Sequence, residues 1–244
     1  MILAAGYGTR LRPLTDEKPK ALVDVGQKKL LEWIILKLKN SGIHSIVINL
    51  HHLGDRIKAY LQAQNYFNIS IEFSEELKIL GTGGGIAHAS SFFQNEPDFL
   101  VHNVDVLSTL NLHKLINYHR QQKNLGTLFV QNRITGRPLI FDAAHLLCGR
   151  YSANEALVRL PAGKSERFAF NGIHVLSSRI FDFMPAPDFF SIIDVYLQCV
   201  AGGERIGGYA DPGTYWRDVG RLETLQQIEY DLHEQHNLSS QLIR

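Results

Sequence analysis

Short apolar runs alternate with segments of helical periodicity throughout the first half of the chain. The run MILAA predicts a buried strand, and the apolar residues of KKLLEWIILKLKNSG recur at helical spacing until Gly42 ends the pattern. Predicted strands and helices then follow one another as SIVINL, GDRIKAYLQAQ, ISIEF, GIAHASSFF, DFLVHNV, NLHKLINYHRQQKN and GTLFVQN. This alternation predicts an α/β fold with a doubly wound, mostly parallel, Rossmann-like sheet and helices on both faces.

The pattern changes after residue 132. The segments RPLIFD, HLLCGRY and ALVRL predict short strands, and RFAFNGIHVL predicts a longer one. Helical spacing returns in SRIFDFM and FFSIIDVYLQCVAGG, ERIGGYA predicts a strand, RLETLQQIEYDLHEQH predicts a closing helix, and the final LSSQLIR is expected to fray. Because no linker or repeat interrupts the chain, we predict one domain over residues 1–244, with halves 1–132 and 133–244 and a small β-rich insertion in the second half.

The composition narrows the kinds of partner to expect. The formal net charge of the 244 residues is +1, so bulk electrostatics favours neither nucleic acid nor an anionic membrane. No apolar run reaches the roughly 18 residues of a membrane span, and MILAAG is too short for the apolar part of a signal peptide. We therefore expect a cytoplasmic protein in which Cys148 and Cys199, which lack metal-ligand spacing, are buried thiols.

The stretch LAAGYGTRLRPLTDEKPKALV combines glycines with cationic side chains directly after the first predicted strand. Gly6 and Gly8 allow the backbone to approach a ligand closely, and exposed N–H groups in such a turn bind anions. Arg10 can grip phosphate oxygens with two hydrogen bonds, and Lys20 supplies a mobile point charge. The loop is therefore predicted to bind phosphate groups, and a merely flexible surface loop is the alternative.

Two better-known phosphate motifs do not account for this loop. GYGTRL has the first two glycines of G-x-G-x-x-G, but Leu11 stands where the third should be, and Pro13 prevents a helix from starting there. The Walker A pattern, G-x-x-x-x-G-K-[ST], is absent from the sequence as well. A nicotinamide-dependent dehydrogenase is therefore disfavoured.

Five motifs, in order along roughly 215 residues, resemble those of the sugar-1-phosphate nucleotidylyltransferases, which make nucleotide-diphosphate sugars. The first is the loop LAAGYGTRLRPLTDEKPKAL. The other four are a glycine-rich loop, an aspartate at a strand end, a sugar-side strand and a second aspartate: GTGGGI (81–86), NVDV (103–106), FNGIHVL with its leading Phe170, and WRDVG (216–220). The resemblance implies a nucleotidyltransferase fold, with the nucleotide bound by residues 1–132 and the sugar by residues 133–244.

The chemistry implied by this resemblance is displacement at the α-phosphorus of a nucleoside triphosphate by a sugar 1-phosphate, with pyrophosphate leaving. Such a reaction depends mainly on positioning and charge neutralisation. Arg10, Lys20 and Asp105 are the expected catalytic residues, and Asp105 and Asp218 are the expected Mg²⁺ ligands. Asp218 has two plainer interpretations: it could cap the helix that begins near Leu222, or pair with a neighbouring arginine.

The resemblance also implies two sets of ligand contacts. The expected nucleotide-binding residues are Leu3, Ala4, Ala5, Gly6, Gly8, Thr9, Arg10, Thr82, Gly83, Gly84 and Asn103. The expected substrate-binding residues are Lys20, Asn171, Gly172 and Asp194. The alternative for GTGGGI is a purely structural turn, and that for Asp194 is a solvent-facing helix position. The adjacent His51 and His52 point to opposite faces of a strand end, so we expect loop or capping roles rather than metal binding.

Some positions depart from the family pattern. Val104 precedes Asp105 where a glycine is usual, and no V-E-K-P segment supplies a lysine for the sugar phosphate, so Lys164 or Arg167 would have to replace it. The short chain is most similar to enzymes that use UTP with N-acetylmuramate 1-phosphate or GTP with mannose- or heptose-type 1-phosphates, in cell-envelope polysaccharide synthesis. We expect a monomer or homodimer.

Two further functions remain open from sequence. One is a cytidylyltransferase for a small phosphorylated alcohol such as phosphocholine, which requires an aromatic cage. The candidate cage residues are Phe189, Phe190, Tyr196 and Tyr215. The other is a regulatory subunit that binds a nucleotide sugar without turnover.

Overall fold

The computed structural model describes residues 1–151 and 155–244. Its α-helices are α1 (Leu30–Asn40), α2 (Gly54–Ala63), α3 (Gly81–His88), α4 (Leu112–Gln122), α5 (Ile192–Ala201), α6 (Leu222–Glu234) and α7 (Leu238–Leu242). Its strands are β1 (Ile2–Leu3), β2 (Asp24–Val25), β3 (Lys28–Lys29), β4 (Ser45–Leu50), β5 (Ser70–Glu75), β6 (Asp98–Asn103), β7 (Val106–Ser108), β8 (Gly126–Gln131), β9 (Leu139–Phe141), β10 (Leu147–Tyr151), β11 (Glu155–Leu157), β12 (Glu166–Ser177), β13 (Ile206–Ala210) and β14 (Trp216–Asp218).

The chain divides into two compact units. The first consists of Met1–Ile79, His102–Asn111 and Thr214–Arg244, and the second of Leu80–Val101 and Leu112–Gly213. The single domain with halves 1–132 and 133–244 stays a prediction.

The first unit is organised around parallel strands. β1 pairs with β4 on one side and with the last two residues of β6 on the other, and β4 pairs with β5, all in parallel. Residues 46–50 of β4 are buried without interruption, as is typical of a strand covered on both faces. The carboxyl ends of parallel strands lie at one edge of the sheet, where ligands of α/β proteins bind.

The second unit combines parallel and antiparallel pairing. β8 pairs in parallel with β13 and antiparallel with β12. β12 also pairs with β9, β9 with β10, and β10 with β11, all antiparallel. The antiparallel strands β9 to β12 are the β-rich segment that the sequence predicts after residue 132. The α/β class, with a mostly parallel central sheet and flanking helices, is thus confirmed.

Three segments differ from expectation. α3 begins at Gly81, within the glycine cluster, rather than after it, and SRIFDFM forms a 3₁₀ helix over Ser178–Phe183. The carboxyl-terminal residues do not fray: they form α7, because Leu238 and Leu242 lie four positions apart on one helix face and both are buried.

Cys148 and Cys199 are both buried free thiols, as predicted. Among the described residues, none of the helices combines the length and apolar character needed to cross a bilayer.

Candidate active site

The loop after β1 is shaped by a left-handed glycine and a short 3₁₀ turn. Gly8 has φ 66°, a conformation that glycine adopts without strain, and the turn Thr9–Leu11 follows with Leu11 buried. Thr15 Oγ1 donates a hydrogen bond to the Gly8 carbonyl over 2.8 Å, which holds the turn closed. Within the described parts of the chain, the amides of Gly6, Tyr7 and Gly8 have no acceptor, so three N–H groups are available to an anionic ligand.

The end of β1 is fixed by buried polar side chains that the sequence analysis did not identify. Asn49, at the end of β4, accepts a hydrogen bond from the amide of Ala4 and donates one to the Glu76 carboxylate, both over 2.6 Å. Asn49 and Glu76 are 3% and 5% exposed, so these contacts form away from water, where they are strongest. They tie the start of the loop to the ends of two neighbouring strands.

His51 supports the loop, as the predicted loop role requires. The Tyr7 hydroxyl lies 3.1 Å from His51 Nε2, and His51 Nδ1 lies 2.8 Å from the Glu76 carbonyl oxygen. The ring of His52 packs against Tyr7 with a centroid distance of 5.4 Å. In the described part of the chain, no three His, Cys, Asp or Glu side chains gather as a metal-binding group.

Lys20 and Asp105 form an ion pair. Lys20 opens a 3₁₀ turn after Pro19, and its Nζ donates to Asp105 Oδ2 over 2.5 Å. Their side chains are 12% and 23% exposed, so both are largely shielded but still reachable from solvent. The lysine of the front loop and the aspartate after β6 therefore belong to one site.

Asp218 lies on β14, which pairs with β7, the strand that follows Asp105 directly. β14 pairs antiparallel with β7 so that Asp218 is opposite Val106, and the amide of Val219 donates to the Asp105 carbonyl over 2.7 Å. The N-cap of α6 is Arg221, so Asp218 does not cap this helix.

Arg10 lies against the same strand end. A Cβ atom built on Gly220 would be 3.0 Å from Arg10 Nη2 and 3.5 Å from Asp218 Oδ2, so the guanidinium and the carboxylate flank this glycine. Arg10, Lys20, Asp105 and Asp218 are thus brought together within the first unit. Their functional roles stay predictions.

Asp231 on α6 holds the strand that carries Asp218, and the sequence analysis missed it. Its carboxylate accepts from the Tyr215 hydroxyl over 2.7 Å and from Gln227 over 2.9 Å, and it pairs with Arg217 over 3.4 Å. Burial tends to raise the pKa of Asp231, but these hydrogen bonds and the guanidinium charge hold it below its usual value. A single aspartate in an amphipathic helix has no sequence signal that would reveal this role.

Thr82, Gly83 and Gly84 lie in the second unit, where α3 packs against the segment 188–192. A Cβ on Gly84 would overlap the Asp188 carbonyl oxygen, and one on Gly83 would overlap the ring of Phe190. Thr82 Oγ1 accepts a hydrogen bond from the Ile192 amide over 3.0 Å. These packing contacts give a structural reason for the glycines, in addition to the nucleotide-binding role of Thr82, Gly83 and Gly84, which stays a prediction.

Asn171 and Gly172 also lie in the second unit, at a bulge of β12 opposite β8. Asn171 is 1% exposed, and Arg133 Nε donates to its Oδ1 over 2.9 Å, a contact that the sequence analysis missed. Arg133 also lines a cavity of about 380 Å³, whose walls include neither Asn171 nor Gly172. It is lined by Val130, Gln131, Asn132, Arg133, Phe168, Ala210, Asp211, Pro212 and Gly213.

The remaining predicted residues of the second unit lie at its surface. Asp194 is exposed on α5 and pairs with Arg150 over 2.8 Å. Of the two candidates for the missing sugar-phosphate lysine, Lys164 is exposed, and the Arg167 guanidinium stacks 4.0 Å from the centre of the Tyr151 ring.

The proposed aromatic cage is incomplete. Tyr196 is fully buried and contacts His174, so its ring cannot form a wall of an open cage. Phe190 is occupied by its packing against Gly83.

Comparison with known proteins identifies the family. Residues 1–235 match the family described as nucleotidyl transferase. The N-acetylmuramate alpha-1-phosphate uridylyltransferase of Caulobacter vibrioides is 39% identical over 242 residues, which make up 96% of this chain and 96% of that protein. The N-acetylmuramate alpha-1-phosphate uridylyltransferase of Neisseria meningitidis serogroup B is 31% identical over 231 residues, or 94% of this chain and 96% of that protein.

A solved structure supports the fold. The crystal structure of HddC from Yersinia pseudotuberculosis complexed with GMP-PN has a TM-score of 0.77 at 22% identity, and the match covers 95% of this chain and 97% of that chain. At this level of identity, the likeness concerns the fold alone. The resemblance carried by the five sequence motifs is confirmed: this chain belongs to the nucleotidyl transferase family.

Proposed function

We propose that this protein is a sugar-1-phosphate nucleotidylyltransferase, which transfers a nucleoside monophosphate from a nucleoside triphosphate to a sugar 1-phosphate. The observation that carries the proposal is the gathering of Arg10 and Lys20 with Asp105 and Asp218 in one compact unit, beside three unpaired loop amides. Two cations suit a triphosphate, and two carboxylates suit its metal ion.

The reaction is an in-line displacement. An oxygen of the sugar 1-phosphate forms a bond to the α-phosphorus, the bridging bond between the α-phosphorus and the β-phosphate oxygen breaks, and pyrophosphate leaves with that electron pair. The attacking phosphate is already ionised at neutral pH, so no general base is required. The loop amides and Arg10 hold the leaving phosphates, and Lys20 supplies positive charge near the α-phosphate.

Mg²⁺ is the cofactor we propose for this site. Asp105 and Asp218 supply hard oxygen ligands from adjacent backbone segments, and Asp105 already accommodates a cation, the Lys20 ammonium, on one oxygen. Mg²⁺ typically takes one or two carboxylates and completes its shell with phosphate oxygens and water, which this donor set fits. When bound, Mg²⁺ neutralises charge on the phosphate oxygens.

The preferred substrates we propose are UTP and N-acetylmuramate 1-phosphate. Two relatives of nearly equal length, at 39% and 31% identity, carry that activity in their names. GTP with a mannose- or heptose-type 1-phosphate is the alternative substrate pair that we propose. We propose a cytoplasmic monomer or homodimer, and the formal net charge of +1 gives no reason to expect a nucleic-acid partner.

Pyrophosphate release is the measurement that tests the proposal. Purified protein with Mg²⁺ is offered five nucleoside triphosphates against a panel of sugar 1-phosphates, and UTP with N-acetylmuramate 1-phosphate is expected to react fastest. Asp105→Asn should lower this rate by about two to three orders of magnitude, because a charged site ligand is lost. Asp55→Asn is the matched control, since Asp55 is fully exposed on α2.

The possible outcomes separate the proposed functions. If no pair of substrates releases pyrophosphate, the catalytic proposal fails, and nucleotide-sugar binding without turnover would then favour the regulatory subunit. If the protein releases pyrophosphate from CTP with phosphocholine but reacts with none of the sugar 1-phosphates, the cytidylyltransferase is favoured. Full activity of Asp105→Asn would remove Asp105 from the proposed site.

A further inference from the structure

In the Lys20–Asp105 ion pair, the lysine ammonium occupies the side of the Asp105 carboxylate where we propose that a metal ion binds. The ammonium lies 2.5 Å from Asp105 Oδ2, close to the roughly 2.0–2.1 Å at which Mg²⁺ contacts a carboxylate oxygen. A divalent ion on that oxygen would meet the lysine charge at close range, so the two cations compete for one ligand.

The backbone of Lys20 is held by a packed turn. Lys20 follows Pro19, and Ala21 and Leu22, which complete its turn, are 1% and 8% exposed. The packed turn therefore fixes the backbone position from which the Lys20 side chain reaches Asp105.

Lys20 can nevertheless leave Asp105 when a polyanion arrives. Its ammonium is a point charge on a flexible four-carbon stem, and its Cβ lies 3.1 Å from a Cβ built on Gly8. A triphosphate held by the free amides of Gly6 and Gly8 would thus be within reach of Lys20. Phosphate oxygens offer Lys20 a stronger anionic partner than one carboxylate does.

We propose that Lys20 is the resident counter-ion of Asp105, which excludes divalent cations from the nucleotide-free protein and releases the carboxylate when a triphosphate binds. Metal and nucleotide consequently bind with positive coupling, and each raises the affinity of the other by the same factor. The inference rests on the proposed function, because it assumes that Asp105 is a metal ligand.

Mn²⁺ binding to the nucleotide-free protein tests the inference directly, with the electron paramagnetic resonance signal of free Mn²⁺ as the readout. Lys20→Met should bind Mn²⁺ at least about tenfold more tightly than wild type, because a single positive charge about 4 Å from a divalent ion weakens its binding by about this factor or more even at the dielectric of bulk water. Lys18→Met is the matched control: Lys18 pairs with the exposed Asp24 over 2.9 Å, so its removal should leave Mn²⁺ affinity unchanged. In the double variant Lys20→Met, Asp105→Asn, the increase in Mn²⁺ affinity should disappear.

The outcomes distinguish the inference from the function on which it depends. Equal Mn²⁺ affinity of Lys20→Met and wild type, or tight binding by nucleotide-free wild type, would overturn the counter-ion role while leaving the proposed reaction intact. If wild type with a non-hydrolysable triphosphate analogue retains no more Mn²⁺ than the analogue alone, the metal site itself fails. Lys20→Gln, which keeps a polar side chain, repeats the test should the methionine variant not fold.

Discussion

At the residue scale, the candidate site depends on a few charged side chains held by short backbone turns. The sequence identifies four charged candidates, because each lies within a recognisable motif: Arg10, Lys20, Asp105 and Asp218. Asn49 and Asp231 could not, because each acts through polar contacts to a distant segment, and a lone polar residue in a strand or helix has no periodic signal.

Arg10 provides the clearest test at this scale. Arg10→Ala should lower kcat by about two to three orders of magnitude, because the guanidinium is proposed to stabilise charge on the departing phosphates. The melting temperature should stay close to that of wild type, because Arg10 is exposed. Steady-state pyrophosphate release and thermal unfolding are the two measurements.

Arg12→Ala is the control for Arg10. Arg12 lies in the same loop but pairs with the exposed Asp16 over 3.1 Å, a surface contact of little energetic value. A similar rate loss in both variants would indicate a general effect of loop charge rather than a specific role of Arg10.

At the element scale, close backbone approach explains features that look purely functional in sequence. The glycines of GTGGGI allow α3 to pack against the segment 188–192, and the β7–β14 ladder joins Asp105 to Asp218. Helix positions were largely predictable from apolar spacing, as α1 illustrates. The start of α3 was not, because glycine lowers helix propensity and only tertiary packing compensates.

Gly84→Ala tests the packing role of the glycine cluster. Alanine in a helix interior gains about 1 kcal/mol of helix propensity, but the overlap with the backbone oxygen of Asp188, 1.8 Å from the added Cβ, costs about 2–3 kcal/mol. We therefore expect a net destabilisation of about 1–2 kcal/mol in urea unfolding.

Gly202→Ala provides the comparison in the same unit. Gly202 ends α5 at φ −80°, and a Cβ there would make ordinary contacts at 3.4 Å and beyond. Its free energy of unfolding should change by no more than about 0.5 kcal/mol. Unchanged stability of Gly84→Ala would argue that the cluster is kept for ligand contact rather than for packing.

At the scale of the whole molecule, buried titratable groups make folding stability depend on pH. His102 on β6 is 1% exposed, and its Nε2 has no hydrogen-bond partner within the described residues. Burial lowers the pKa of this imidazole from its ordinary 6.5 to about 4. Lys37 and the amino terminus act in the same direction, whereas the bond to the Asn103 carbonyl and the Asp105 charge oppose it.

This depressed pKa predicts acid sensitivity. The unfolded chain binds a proton at His102 below about pH 6.5, but the folded protein does so only near pH 4, so the stability present above pH 6.5 is lost between these values. The expected loss is about 3 kcal/mol from pH 7 to pH 4. Urea unfolding of wild type and His102→Gln at both pH values isolates this contribution.

His113→Gln is the control, since His113 is exposed on α4. It should follow the wild-type dependence on pH, whereas His102→Gln should lose about 3 kcal/mol less on acidification. Equal losses in all three proteins would contradict the account of His102.

The sequence alone determined the longer strands and helices, the family and the identity of the charged candidates, because apolar periodicity and short sequence motifs are local properties. Only the tertiary structure decided which of them meet. The ion pair of Lys20 with Asp105, the backbone contact between Asp105 and Val219, and the overlap that forbids a side chain at Gly84 all join segments distant in sequence. Such contacts depend on strand register and on the packing of each compact unit, which no single stretch of residues specifies.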